Sequence, residues 1–241
     1  MSKVRTVLDM RSKLPIRLIG LGLLIVLALL GEQLWVSYRD QIRTAEVNTR
    51  NLAAMFETRL DATLRRTDAD LQTLAATIPP AAMNQAAVPM FEKEINAGLD
   101  SRMFNIEEMA GYRIHDANGD TLYTSDSAHV QRINISDRPY FRQLRDDPGI
   151  GLLFSEVVTG RSLGRQVLVI IRAIRDRDGK FLGIVHGMLD LEYYRKQFQA
   201  LNLGQHGVIT LRRSDTHAQV VRWPDIPSEL NQPLPPDHPV V

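Results

Sequence analysis

The 241-residue chain contains no cysteine. That removes disulfides, thiolate nucleophiles and cysteine-based metal sites. Its six histidines show no paired metal-ligand spacing such as His-Glu-x-x-His. No glycine-rich loop ends in Gly-Lys-Ser/Thr, and no Gly-x-Ser-x-Gly elbow is present. The paired acids Asp146-Asp147 are adjacent, and adjacent helical residues point apart. The sequence therefore offers no catalytic residue, no metal site and no cofactor, and the expectation is a protein that is not an enzyme. Excess basic charge is also lacking, since 29 Lys and Arg face 28 Asp and Glu. The balance is uneven, because at the tip Lys3, Arg5, Arg11, Lys13 and Arg17 oppose only Asp9. A mildly acidic body behind a basic tip is not the footprint of a nucleic-acid binder.

What is present begins with an apolar run. Leu18 to Gly31 carries no polar side chain. With Leu14 and Ile16 before it and Leu34, Trp35 and Val36 after it, a helix of about 34 Å crosses the hydrocarbon core. Arg17 snorkels, and Trp35 and Tyr38 stand at an interfacial belt. A cleaved signal peptide is the competing reading, but Ala28-Leu29-Leu30-Gly31 is a poor cleavage site. Residues 1–17 then form a cytoplasmic tip, 14–36 a transmembrane helix, and everything beyond lies outside, periplasmic to a bacterial inner membrane.

Between Glu32 and Ile78 there is neither glycine nor proline. A stripe from Ile42 through Leu52, Phe56, Leu64 and Leu71 to Ile78 recurs with a mean step of about 3.6 residues, the α-helical period. Pro79-Pro80 ends it. A solvated stalk and a coiled coil are the plainer readings, but the stripe holds no strict heptad, and the expectation is a helix that leaves the membrane as a stalk, lies against a sheet and forms a homodimer.

Strand pairs follow. Gly111–Asp116 and Thr121–Thr124 flank Asn118-Gly119, a hairpin signal. Val167–Ile174 and Phe181–Asp190 form a longer hairpin, apolar on both faces as at the centre of a covered sheet. Gly183 and Gly187 on one face allow close approach of a helix or a ligand, and His186 reads as a satisfied core histidine. A helix over Leu191–Leu201 and a strand pair over Val208–Leu211 and Gln219–Val221 come next. The tail from Trp223 holds six of the twelve prolines and reads as irregular.

The order of several short motifs carries a resemblance. They are Ile135-Ser136-Asp137-Arg138-Pro139-Tyr140-Phe141, then Asp146-Asp147-Pro148, Gly160-Arg161, and the turn Asp178-Gly179-Lys180-Phe181-Leu182-Gly183. The strand end Leu189-Asp190-Leu191 and the run from Leu203 to Leu211 complete the series. Over about residues 36–223 the chain resembles the periplasmic double-Cache sensor region, PAS-like in fold, of bacterial membrane-bound diguanylate cyclases of the GGDEF type. The resemblance implies an α+β fold: a transmembrane helix, a long amphipathic helix, then an antiparallel sheet flanked by helices. It also implies a membrane-distal sensor domain over 37–203 and the start of a second module over 204–241. It implies a small extracellular ligand, and an output that is a cyclic-di-GMP synthase or, alternatively, a histidine kinase or chemoreceptor. A third alternative is an anchor that only dimerises. No GGDEF domain is present, so cyclase activity is out of reach of this polypeptide. Carried over residue by residue, the ligand-binding set is Arg138, Tyr140, Phe141 and Asp190. The competing role for the same residues is structural, with Arg138 paired to Asp190 and the two aromatics in the core. Asp137 is expected to cap the helix that Pro139 opens.

Overall fold

The computed structural model describes residues 2–126, 132–204 and 206–235, with side chains from residue 18 onward. The side chains of the basic tip and the residues beyond 235 lie outside that description. The chain divides into two compact units, residues 1–61 and 62–241.

The first unit is helix alone. Helix α1 runs Ser2–Thr77 without interruption, through Pro15 and three glycines in its first part and a stretch free of glycine and proline from Glu32 onward, and its residues to Asp61 belong to this unit. The side chains of Leu18 to Leu30 are all exposed, and from Leu18 the helix is long and apolar enough to cross a membrane. Arg39 lies over the Trp35 ring at 4.6 Å. A solvent-facing apolar surface of this size has a physical reason to exist only where lipid or another apolar surface replaces water.

The second unit is built on a five-stranded antiparallel sheet. After two short turns, α2 spans Val88–Met103. The strands are β1 Met109–Asp116, β2 Thr121–Thr124, β3 Leu153–Thr159, β4 Gln166–Arg175 and β5 Phe181–Asp190. Their order is β2-β1-β5-β4-β3. Helix α3, Pro139–Asp146, lies between β2 and β3 in sequence, and α4, Leu191–Gln199, follows β5. A two-stranded hairpin, β6 Ile209–Arg212 and β7 Gln219–Trp223, comes last. The tail then holds one 3-10 turn, Pro227–Glu229, and a bridge from Leu230 to Gln219.

The two main hairpins turn by the same device. Asp116 Oδ1 accepts from the backbone N–H groups of Asn118 and Asp120, each at 2.9 Å. Asp176 Oδ1 does so from Asp178 at 3.0 Å and Lys180 at 2.9 Å. Gly119 (φ +86°) and Gly179 (φ +82°) supply the left-handed residue.

One face of the sheet takes the end of α1. Thr67, Leu71, Leu74 and Ile78 are buried there. Arg172 Nε of β4 pairs with Asp68 Oδ1 at 2.7 Å, and the Tyr112 hydroxyl donates to Asp70 Oδ2 at 3.3 Å. A β-carbon on Gly187 would stand 3.0 Å from Thr67 Cγ2 and 2.7 Å from Met109 Cε. Gly187 is therefore glycine for helix packing, whereas Gly183 faces the β1 backbone at His115 and Asp116 with φ +147°. The opposite face carries α3, whose Tyr140, Phe141 and Leu144 are buried on Val169, Ile171 and Ile184.

Two elements had no counterpart in the sequence reading. α2 begins with proline in its first turn and buries only Val88, Asn96 and Leu99, too sparse a stripe to stand out. In β3 the pairing register shifts between Phe154 and Val157, so Ser155-Glu156 breaks the alternation that marks a strand. Helix α4 also ends two residues earlier than expected, at Gln199.

Candidate functional site

On the α3 face a narrow cavity lies between the sheet, the start of α3 and the β3–β4 loop. Its polar walls are Arg113 and His115 of β1, His186 of β5, Arg138 and Tyr140 at the start of α3, and Arg161 and Ser162 of the loop. Ile135, Val169 and Met188 supply apolar surface, and the free space is about 30 Å³.

Strand register assembles the sheet side. Arg113 stands directly opposite His186, and His115 opposite Ile184. Arg113, His115 and His186 thus share one face, although 71 residues separate the two histidines in sequence. Their rings stack at 5.1 Å, with the Nε2 atoms 3.1 Å apart. Burial, the dominant cause in both, presses them toward the neutral form: His115 falls from 6.5 to about 3, and His186 falls well below its ordinary value.

The protons of this neutral pair follow from its neighbours. His115 Nδ1 lies 3.2 Å from the Gly119 carbonyl, which can only accept. The Thr121 hydroxyl, 3.4 Å away, spends its own proton on Ile133 O. His115 therefore carries its proton on Nδ1, and its Nε2 is a bare acceptor. His186 Nε2–H then donates to it, which leaves the lone pair on His186 Nδ1 unspent. Among the described residues that atom is buried without a hydrogen-bond partner, and so is Arg113 Nε. Arg113 is 3% exposed, and burial lowers its pKa while the nearby Asp126 carboxylate opposes this. A buried polar atom left unmatched costs about 1–3 kcal/mol, so two in one cavity are unspent binding capacity.

The mouth is tied. Arg161 forms a bidentate pair with Asp137 and also donates to the Asn134 carbonyl. Those hydrogen bonds hold the Asp137 carboxyl below its ordinary value. Asp137 is consequently not the cap of α3. Arg138 occupies the cap position without a side-chain capping bond, and Pro139 is the first helical residue, as expected. The charge-assisted bidentate pair outcompetes a single cap bond.

The four residues expected to bind ligand separate into two groups. Arg138 and Tyr140 line the cavity, with Arg138 Nη2 donating to Thr159 O at 3.2 Å. Phe141 is wholly buried in the core behind it, edge-on to Phe181 at 5.7 Å. Asp190 ends β5 but is not on the cavity wall. Its Oδ1 caps α4 by accepting from Glu192 N at 3.0 Å, and its Oδ2 lies 3.2 Å from Arg165. Arg138 and Asp190 do not pair, because each side chain has another partner. The residues that sequence reasoning missed are Arg113, His115 and the unsatisfied side of His186, expected there to be a satisfied core residue. The available signal was Arg113 and His115 alternating inside a strand otherwise apolar and buried on both faces.

Neither the protein-family models nor the curated proteins contain a match. Solved structures do. The ligand-binding domain of the Campylobacter jejuni chemoreceptor Tlp3, in complex with 4-methylisoleucine, superposes with a TM-score of 0.52 at 14% identity, covering 78% of this chain and 70% of that one. The ligand-binding domain of the Pseudomonas fluorescens chemoreceptor CtaA, in complex with L-isoleucine, gives 0.50 at 18% identity, covering 76% and 67%. The extracellular domain assigned to a histidine kinase, rpHK1S-Z16, gives 0.49 at 26%, covering 74% and 73%. The chain has the α+β fold of these ligand-binding domains. At these identities the likeness is one of architecture.

Proposed function

We propose that the chain is the extracytoplasmic sensing module of a bacterial membrane receptor, and that a small molecule binds in the α3-face cavity. The observation that carries this reading is the pair of unmatched, buried polar atoms, Arg113 Nε and His186 Nδ1, in one cavity of a sensory-domain fold. Arg138 and Tyr140 contact the ligand, while Phe141 and Asp190 hold the wall and the end of β5 in place. The chain anchors by residues 14–36 with its N-terminus in the cytoplasm, and α1 carries the signal toward the membrane as a homodimer. The fold similarity to chemoreceptor domains supports the sensory role. The motif order from Ile135 to Leu211 supports an output of the cyclic-di-GMP synthase type, with a histidine kinase or chemoreceptor output as the second reading.

The test is a thermal-shift screen of the full chain in lipid nanodiscs against amino acids, amines, carboxylates and sugars, repeated with Arg138→Ala. At least one compound raises the melting temperature of the wild type by several degrees, and Arg138→Ala abolishes most of that shift. If no compound shifts the wild type, or every hit shifts Arg138→Ala equally, the cavity is not a ligand site.

A further inference from the structure

The unspent groups define a chemistry. Arg113 Nε–H is a donor on a permanent cation, and His186 Nδ1 is an acceptor on a neutral ring. They sit on directly opposed residues of neighbouring antiparallel strands, whose β-carbons stand about 5 Å apart. A ligand satisfying both needs a negative oxygen and, on the same small skeleton, a hydrogen-bond donor.

An ammonium group is a poor choice of donor. Arg113, Arg138 and Arg161 line the cavity, and among the described residues no carboxylate does. The neighbouring acids are committed, Asp137 to Arg161, Asp190 to Arg165 and the α4 N-terminus, and Asp126 to the field of Arg113 itself. A neutral hydroxyl avoids the repulsion. Apolar Ile135, Val169 and Met188 favour a carbon skeleton over a bare inorganic oxyanion, which would need donors on every side. Resting on the sensory reading above, we propose that the cavity binds a small 2-hydroxycarboxylate, its carboxylate against Arg113 and its hydroxyl donating to His186 Nδ1.

The free space of about 30 Å³ accommodates about two water-sized groups. A three-carbon acid is larger, so entry requires the loop carrying Arg161 to part from Asp137. That places the specificity residues on the rigid sheet and the moving part at the mouth.

Isothermal titration of the full chain in nanodiscs with L-lactate, propionate, L-alanine and hydrogen phosphate tests this. L-Lactate binds, propionate binds about tenfold more weakly for want of the hydroxyl, and L-alanine and hydrogen phosphate bind more weakly still. Arg113→Met weakens L-lactate about 30-fold or more. His186→Phe keeps the ring stack, lowers L-lactate to the level of propionate and leaves propionate unchanged, so the comparison holds even if the Arg113 variant fails to fold. Propionate equal to L-lactate, or L-alanine or hydrogen phosphate tighter than it, overturns the proposal. L-Lactate silent while another compound shifts the melting temperature through Arg138 overturns this proposal and leaves the sensory reading standing. Silence of every compound in both assays overturns both.

Discussion

Acidification should destabilise the second unit through two histidines in its sheet. His115 and His186 are buried and neutral, held there mainly by loss of hydration and also by the positive field of Arg113. The folded pKa lies below the unfolded one, so the unfolded chain binds more protons, and stability falls as pH drops below about 6.5. For His115, with a folded value of about 3, the loss at pH 5 relative to pH 8 is about 2 kcal/mol, and it continues to grow until about pH 3. His186 adds to it in the same direction. Against a typical total of about 5–15 kcal/mol, this is a substantial part of the reserve. The assay is urea unfolding at pH 8 and pH 5, followed by tryptophan fluorescence and circular dichroism, for the wild type and His115→Gln. The wild type loses at least about 2 kcal/mol between the two pH values, and the variant loses correspondingly less. Equal losses in both, or none in the wild type, would refute the reasoning, because the histidines would then be charged or solvated in the folded state.

Other perturbations probe separate contacts. Gly183→Ala meets the β1 backbone at a positive φ and should cost roughly 2–4 kcal/mol, against about 1–3 for Gly187→Ala, which meets the movable ends of Met109 and Thr67; chemical unfolding ranks them. Asn231 exchanges two hydrogen bonds with Val157, each 2.9 Å, so Asn231→Ala should cost about 1–2 kcal/mol and speed amide exchange at Val157. Asp137→Asn unties the mouth and should raise the rate of ligand association in stopped-flow measurements without lowering affinity for the cavity. An unchanged rate would mean that the Arg161–Asp137 pair does not gate entry.

Much of the architecture was legible because it is written in local terms. The end of α1 at Thr77 follows from Pro79-Pro80, the hairpins from Asn118-Gly119 and Asp178-Gly179, and the role of Gly187 from a small residue in a covered strand. β3 was not legible, since its bulge at Ser155-Glu156 destroys the alternation on which recognition of a strand depends. The site divides along the same line. Arg138 and Tyr140 belong to one contiguous motif and could be named from it. Arg113, His115 and His186 meet only through the β1–β5 register, and which atoms remain unsatisfied is decided by the Gly119 carbonyl and the Thr121 hydroxyl, which no linear pattern records. Asp190 stands off the cavity wall, since a strand-end acid followed by a helix is equally suited to capping that helix, and Arg165 holds it there.

The absence of cysteine makes the central claim, that the α3-face cavity takes the ligand, directly measurable. Ser162→Cys places a single thiol on the cavity wall, and Ser214→Cys places one on the exposed β6–β7 turn. The measurement is the alkylation rate of each thiol with and without a saturating compound from the thermal-shift screen. The account predicts that the compound slows alkylation at position 162 severalfold and leaves position 214 unchanged. Equal rates at position 162 with and without a compound that still stabilises the protein would place its site elsewhere and contradict the account.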